Sequence, residues 1–401
     1  MAFKIFKYRM YPTQYQERNL FLILEISRQW YNMCISERKY SYEIEHYSVS
    51  KRDQLRLIKY YKSTFPCAQQ VHSHILQVVT SDVDKAFQTF FRRVKAGEKP
   101  GYPRFKKPGR FRSFGLKELN NGFKLDGRRL KLSGVGRVAL RWHRPIEGAI
   151  KTIRIVHKAG KWFVLFSCNI KKINPFLATN KPVGIDMGIS ALITTSYGDK
   201  INNPLYYHKS QKRISTLQRK LARAHKNSHN YYKIQRSIQL QHEHVANQRK
   251  DFLHKLSTNL VREFDQIALE DLNIHKMAHN HLFSKSISDS GWYLFRQYLT
   301  YKAENAGREI VFVNPAYTSK SCSNCGATFK DFDLSTRWVE CGCGLSLDRD
   351  HNAAINILNK TGWDTSVPDN VECKQTHASV KNLRSNVQGV SQISLISYSK
   401  Y

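Results

Sequence analysis

Residues 322–358 read CSNCGATFKDFDLSTRWVECGCGLSLDRDHNAAINIL, and this stretch decides the fold. Cys322 and Cys325 form a CxxC pair and Cys341 and Cys343 a CxC pair, with 15 residues between Cys325 and Cys341. Gly326, Gly342 and Gly344 sit in the turns, where backbone amides can support thiolate sulfur. Four thiolates at this spacing close a tetrahedral Zn2+ site with no open position. A redox CxxC is the competing reading; the second pair and the lack of a thioredoxin-like pattern disfavour it. A closed four-thiolate site does no chemistry, so it serves to position its neighbours. Those neighbours are Asp348 and Asp350, at the start of an expected helix HNAAINIL. The bland reading of Asp350 is a helix cap. Cys34, Cys67, Cys168 and Cys373 are isolated and read as core or incidental residues.

Two further carboxylates stand in unusual places. Asp186 lies inside VGIDMGIS, an expected buried strand, and Glu270 ends the apolar strand QIALE. Glu270 alone would pass for a surface acid at a strand end. An unpaired aspartate in a buried strand is costly, so Asp186 is harder to dismiss. Three carboxylates at element ends are compatible with one shared divalent-metal site. Such ligands suit Mg2+ or Mn2+. Two ions about 4 Å apart can activate a water and stabilise the leaving oxygen in phosphodiester cleavage.

The chain of 401 residues carries 65 Lys plus Arg against 31 Asp plus Glu, a formal net charge of +34. That length implies two or three domains, and such an excess repels itself unless a polyanion neutralises it. A membrane surface or an acidic protein would serve, and plain cationic solubility is the bland alternative. Aromatic residues at 12%, interleaved with the basic stretches, favour nucleic acid. Residues 99–117, KPGYPRFKKPGRFRSFGLK, hold no acid, and Lys99, Arg104, Lys106, Lys107, Arg110 and Arg112 are nominated there as contacts. Residues 200–242 also lack any acid and nominate Lys212, Arg213, Arg219, Lys220 and Arg223. That second stretch belongs to an expected antiparallel helical hairpin over 209–264, with Ile234, Ile238, Val245, Phe252, Leu256 and Leu260 on one face. Its competing reading is a solvated coiled-coil face. No secretory pattern opens MAFKIFKYRMYPT, and the longest apolar run, near residues 20–26, is far short of a membrane span. The expectation is a soluble intracellular protein.

Elsewhere, residues 3–10 are expected as a strand, and Thr13 with Gln16 as a capping box before a helix burying Leu20, Leu24 and Trp30. A second helix runs from about His72 to Ala96, with Ile75, Val79, Val83, Phe87, Phe90 and Val94 at steps of three or four. GFKLD, RRLKLS, GRVALRW, AIKTIRIVHKAG and KWFVLFSCNI read as short strands of a small barrel, the last two flanking an Ala159-Gly160 hairpin turn. From Lys181 onward come the strand VGIDMGIS and its hairpin partner ALITTSYGDK. The helical hairpin, the strand within 264–274, a helix near 289–306 and the strand REIVFVNP follow. Residues from about 360 are polar and aperiodic, a flexible tail.

The set GIDMGIS, IALEDLNI, CSNCG and CGCGLSLDRDHNAAINIL resembles the RuvC-like nuclease of the TnpB family, encoded by insertion sequences and similar to compact type V CRISPR effectors. YRMYPTQYQ, RQWYN, FFRRVKAGEKPGYPRFK, NQRKDFLHKLSTNLV and YTSKSCSNCG extend the resemblance over most of the chain. It implies a multidomain α+β and α/β fold. Residues 1–12 and 104–180 would form a β-barrel wedge, with 13–103 as a helical recognition insertion. An RNase H-like RuvC nuclease domain would span 181–321 and 344–360, with 322–343 as an inserted zinc ribbon and 361–401 as the tail. By matching positions, the family's catalytic acids fall on Asp186, Glu270 (not Asp271) and Asp350 (not Asp348), holding two Mg2+ or Mn2+ ions. Its zinc thiols fall on Cys322, Cys325, Cys341 and Cys343, the CxC pair being a modest departure. The implied activity is RNA-guided, Mg-dependent cleavage of double-stranded DNA beside a short motif. One chain would act per guide RNA from the transposon end, in the prokaryotic cytoplasm at the nucleoid. A guided repressor that no longer cuts, an unguided structure-selective nuclease and a zinc-ribbon transcription factor are the rivals.

Overall fold

The computed structural model describes residues 2–170, 175–279, 284–330, 333 and 336–363. The chain divides into two compact units, Met1–Lys172 and Ile173–Tyr401. Among the described residues no helix is long and apolar enough to cross a membrane.

The first unit opens with β1 (Ala2–Tyr11), followed by α1 (Gln14–Glu45), α2 (Lys51–Thr64), α3 (Pro66–Gln69) and α4 (Ser73–Lys95). Then come β2 (Ser113–Leu116), β3 (Glu118–Leu119), β4 (Gly122–Asp126), β5 (Arg129–Leu132), β6 (Gly136–Arg141), β7 (Ala149–Lys158) and β8 (Lys161–Ile170). All eight strands form one sheet in the order β2-β7-β8-β1-β6-β5-β4-β3. Its two edges, β2 and β3, are consecutive in the chain with only Lys117 between them.

Strand alternation sorts the residues of β1. Phe6, Tyr8 and Met10 are fully buried, while Phe3, Ile5 and Tyr11 are exposed. Thr13 and Gln16 form the expected capping box, and α1 buries Leu20, Leu24 and Trp30. Trp30 Nε1 donates to the Leu76 carbonyl at 3.2 Å and to Thr80 Oγ1 at 3.0 Å, fixing α1 to α4. The α4 stripe is shorter than its periodicity suggests: Ile75, Val79, Val83 and Phe87 are buried, but Val94 is 50% exposed, because the helix outruns the core. Helix α2 was not anticipated, although Ser50 and Asp53 make a complete capping box at its start. Ala159 and Gly160 turn β7 into β8, both at positive φ, as the hairpin requires.

The second unit contains β9 (Pro182–Asp186), β10 (Ala191–Thr195), β11 (Lys200–Asn202), α5 (Tyr206–Arg223), α6 (His229–Glu263), β12 (Gln266–Glu270), α7 (Ile274–His279), α8 (Ser284–Ser290) and α9 (Trp292–Ala306). It ends with β13 (Glu309–Val313), β14 (Trp338–Glu340), β15 (Ser346–Asp348) and α10 (Arg349–Asn359). Five strands form a sheet ordered β11-β10-β9-β12-β13, in which β9, β12 and β13 run parallel. Both faces are covered. Val183, Ile185, Ile267 and Leu269 share a core with Leu253, Leu256, Leu260, Phe295 and Leu299 of α6 and α9. Ala268 and Val313 pack with Ile357 of α10 on the opposite face. This two-sided burial is why the strands read as continuous apolar runs.

The hairpin α5–α6 forms as expected, with Val245, Phe252, Leu256 and Leu260 buried and Ile234 and Ile238 only half-buried. The helix expected from Asp289 to Ala306 is instead broken at Gly291, whose φ is 70°. The break leaves Asp289 at the end of α8, where it accepts from the Tyr207 and His208 amides and pairs with Arg249 at 2.7 Å. It thereby supplies the N-terminal cap that Leu205 cannot give α5. β14 and β15 pair antiparallel from Trp338↔Asp348 to Glu340↔Ser346, so the cysteine insertion stays folded up to the first turn of α10. Of the expected tail, Trp363 packs against the Ala268–Val313–Ile357 cluster, and residues 364–401, with Cys373, lie outside the described residues.

Candidate active site

Parallel register sets the first two acids side by side. Ile185 pairs with Leu269, so Asp186 and Glu270 are the next residues on adjacent strands and project from the same face. That is the α10 face, because Gly184 and Ala268, two residues earlier, both meet α10. Asp186 is therefore the last residue of β9 and not a mid-strand residue as the sequence suggested.

The third acid comes from α10. Gly184 lets this helix approach: a Cβ there would stand 2.1 Å from the Ala354 carbonyl oxygen and 2.8 Å from the Leu358 nitrogen. The cap role falls to Asp348, which accepts from the Asp350 amide at 3.0 Å and the His351 amide at 3.2 Å. Its other oxygen meets Lys200 at 2.7 Å. Burial works against ionisation of Asp348, but Lys200 and these amides outweigh it and hold its carboxyl below the usual range. Asp350, in the first turn, is thus free of capping, with its carboxylate against Arg349 at 3.0 Å.

Asp186 feels the charge of both other acids. Burial, then the charges of Glu270 and Asp350, push the Asp186 carboxyl up to about 8, with Arg349 opposing. Burial likewise raises Glu270, against the Thr318 hydroxyl that donates to it and the Lys360 ammonium. Asp271, by contrast, points outward to Arg296 at 2.8 Å and is 61% exposed as a side chain. Partly buried carboxylates, one of them raised by the charge of the other two, have the donor set of a hard divalent cation.

The four thiols converge as the spacing predicts: Cys322, Cys325, Cys341 and Cys343 place their sulfurs within 4.8 Å of one another. Cys322–Cys343 is 3.6 Å and Cys325–Cys341 is 3.5 Å. A tetrahedron of sulfurs about 2.3 Å from a central ion has edges of roughly 3.8 Å, so the cluster suits an ion such as zinc. The thiols share their protons: the Leu345 amide and the Asn324 side chain lower the Cys343 thiol, while, against the Cys343 amide, hydrogen bonds with neighbouring thiols push the Cys341 thiol up. Cys34 and Cys168 are buried and Cys67 exposed, apart from this group.

Asparagines on α10 tie the knuckle to the acids, and nothing in the sequence pattern singled them out. Asn352, wholly buried, accepts from the Ser323 amide at 2.9 Å and donates to the Ser321 carbonyl at 2.8 Å. Asn356 donates to the Thr318 carbonyl at 2.8 Å and the Ser321 carbonyl at 2.7 Å. The spacing of four along one helix face was the available signal.

The eleven nominated cations divide between the units. Lys99, Arg104, Lys106, Lys107, Arg110 and Arg112 are exposed in the first; Lys212, Arg213, Arg219, Lys220 and Arg223 are exposed on α5. None of them forms an ion pair among the described residues. A further basic surface escaped the sequence reading, on the outer side of the eight-stranded sheet. Arg9 lies opposite Arg141, Lys131 opposite both Arg137 and Lys124, and Lys7 over the Phe163 ring at 4.1 Å. The alternation of Lys7, Arg9 and Tyr11 along β1 was its signal.

Three family models match the chain. One described as "Probable transposase" covers residues 166–281, "Cas12f1-like, TNB domain" covers 292–357, and "Helix-turn-helix domain" covers 1–46. A "Putative RNA-guided DNA endonuclease" of Streptomyces pristinaespiralis is 35% identical over 362 residues, 88% of each chain. A "Putative RNA-guided DNA endonuclease InsQ" of Escherichia coli (strain K12) is 33% identical, over 71% of this chain and 74% of that one. The "TnpB-like protein L79" of Acanthamoeba polyphaga mimivirus is 30% identical over 54% of this chain and 44% of that one. Among solved structures, "Structure of the mini-RNA-guided endonuclease CRISPR-Cas_phi3" aligns with a TM-score of 0.47 and 11% identity, covering 89% of this chain and 92% of that one. By the length and identity of these matches, the chain belongs to the TnpB family.

Proposed function

We propose that this chain is an RNA-guided DNA endonuclease of an insertion sequence, with Asp186, Glu270 and Asp350 as its catalytic carboxylates. The observation that carries the reading is the in-register exit of Asp186 and Glu270 from β9 and β12 on the sheet face that α10 covers. Two Mg2+ or Mn2+ ions bound there would supply an activated water and charge stabilisation for phosphodiester hydrolysis. The chain's own part is to hold the three carboxylates at fixed places. Burial and mutual repulsion keep Asp186 poised between charged and neutral until a cation is near. Asp348, Lys200 and Arg349 brace the start of α10. Zn2+ on Cys322, Cys325, Cys341 and Cys343 would stiffen the insertion between β13 and α10.

In this reading the eight-stranded sheet of the first unit is the barrel wedge (1–12 and 104–180) and its helices are the recognition insertion (13–103). Residues 181–321 and 344–360 are the nuclease domain, and 322–343 the ribbon. The eleven nominated cations and the self-repelling outer sheet face line the paths of guide RNA and target duplex. Like charges directly across a strand pair, as at Arg9 and Arg141, are destabilising unless an anion sits on them, and among the described residues Asp126 serves only Arg137 at 2.9 Å. A heteroduplex of ~20 bp carries roughly 40 phosphates, comparable in scale to the net charge of +34. One chain per guide RNA completes the proposal.

The test is purification from cells, sequencing of any RNA that copurifies, and cleavage of a plasmid carrying its complement in Mg2+. A discrete RNA and guided cleavage are expected. Cutting that is indifferent to RNase would support the unguided nuclease; bound RNA without cutting would support the repressor.

A further inference from the structure

The segment from β13 into the cysteine knuckle is strapped along one face of α10. Lys360 donates to the Asn314 carbonyl at 3.0 Å and also to the Ala316 carbonyl. Asn356 takes the Thr318 and Ser321 carbonyls, and Asn352 takes the Ser321 carbonyl and the Ser323 amide. Ser323 lies inside the CxxC loop, next to Cys322. Thr318, itself 2% exposed, sets its hydroxyl between Glu270 Oε1 and the Pro315 carbonyl, the latter at 3.0 Å. A continuous hydrogen-bonded path therefore runs from the thiolate loop through Asn352, Asn356 and Thr318 to Glu270, and Asn352 is two residues beyond Asp350 on the same helix.

We propose that Thr318 is the positioning residue of Glu270, and that the path through Asn356 and Asn352 makes cation binding at the carboxylates depend on zinc in the knuckle. The inference rests on the carboxylate centre proposed above. A buried carboxylate with a hydroxyl fixed against one oxygen has fewer orientations open to it. With the knuckle empty, Ser321 and Ser323 lose their anchored positions and Asn356 loses one of its two acceptors, which loosens its hold on the Thr318 carbonyl. Glu270 then samples several rotamers, and the cation must select one of them. The coupling is reciprocal: divalent ions at the acids tighten zinc by the same factor.

Manganese affinity of the full, zinc-loaded chain, read by calorimetry and by the Mn2+ electron paramagnetic signal, tests this. Thr318→Val and Thr318→Ala both remove the hydroxyl and are expected to weaken Mn2+ about tenfold, the scale of losses from removing a supporting hydrogen bond. Thr318→Ser keeps the hydroxyl and is expected to restore binding to within about twofold of the parent. Zinc content is expected to stay at one per chain in all three. Asn356→Ala is expected to weaken Mn2+ less than Thr318→Val, and the double variant to be no weaker than Thr318→Val alone, as for residues on one path. Valine binding Mn2+ like the parent, serine failing to restore it, or additive losses in the double variant would each overturn the relay. Failure of the underlying site looks different: the parent and Asp186→Asn would then bind Mn2+ equally.

Discussion

The backbone of Gly184 in β9 passes beneath Ala354 in α10 so closely that a Cβ on Gly184 would stand 2.1 Å from the Ala354 carbonyl oxygen. This contact sets how near α10 comes to the strand, and hence where Asp350 stands over Asp186. Gly184→Ala must push the helix away. The expected result is loss of cleavage by more than about 100-fold, as for misplacement of a catalytic group, with destabilisation of roughly 2–4 kcal/mol. Gly101→Ala is the control, since nothing lies within 4 Å of its Cβ position. Plasmid cleavage and thermal melting of both variants check the contrast.

Asp348 and Asp350 are two residues apart and have separable tasks. Asn caps a helix about as well as Asp, so Asp348→Asn is expected to retain cleavage within about tenfold, losing mainly the Lys200 pair. Asp350→Asn is expected to abolish cleavage while sparing RNA binding. Equal loss in both variants would mean that the capping geometry, not the Asp350 carboxylate, is what matters.

The raised carboxyl of Asp186 makes a pH prediction. Its pKa in the folded chain is about 8 against an ordinary 3.8. Between these values the folded chain holds a proton that the unfolded chain has released. Stability without divalent ions at the acids therefore falls as pH rises through this window and levels off above it. Asp186→Asn removes the slope. It is expected to stabilise the zinc-loaded chain by roughly 1–3 kcal/mol above pH 8 and to be near neutral at pH 4. Melting temperatures across pH 4–9, without added Mg2+ or Mn2+, read this directly; parallel curves for parent and variant would contradict it.

Much of the site was legible because its residues break a local rule. A carboxylate within an apolar strand, as at Asp186, or ending one, as at Glu270, stands out, and so do paired thiols between glycines. The four-thiol cluster followed from that spacing. What escaped depended on contacts that a one-dimensional pattern does not carry. Asn352 and Asn356 read as ordinary polar helix residues until the knuckle carbonyls are placed against them. Gly291 breaks a helix whose apolar period continues through it, because packing on Arg249 and Leu253 leaves no room for a side chain. Val94 keeps the period of α4 but projects past the end of the core. The basic face outside β1 was hidden because its charges lie on separate strands and meet only through pairing.

Removal of zinc is expected to act on the acids as well as on the knuckle. Cys322→Ser or chelation should lower zinc below one per chain, reduce solubility and weaken cleavage, because Ser323 and Ser321 anchor α10. Zinc content by atomic absorption, set beside cleavage rate, checks this. Zinc still at one per chain in Cys322→Ser would show that the four-thiol assignment is wrong.

The central claim is that Asp186, Glu270 and Asp350 grip the same divalent cations. Crystals of the zinc-loaded protein soaked in Mn2+ and measured at the manganese absorption edge test it most directly. The account predicts anomalous peaks within coordination distance of all three carboxylates, lost in Asp186→Asn. Peaks elsewhere, or acids too far apart to share an ion, would contradict it.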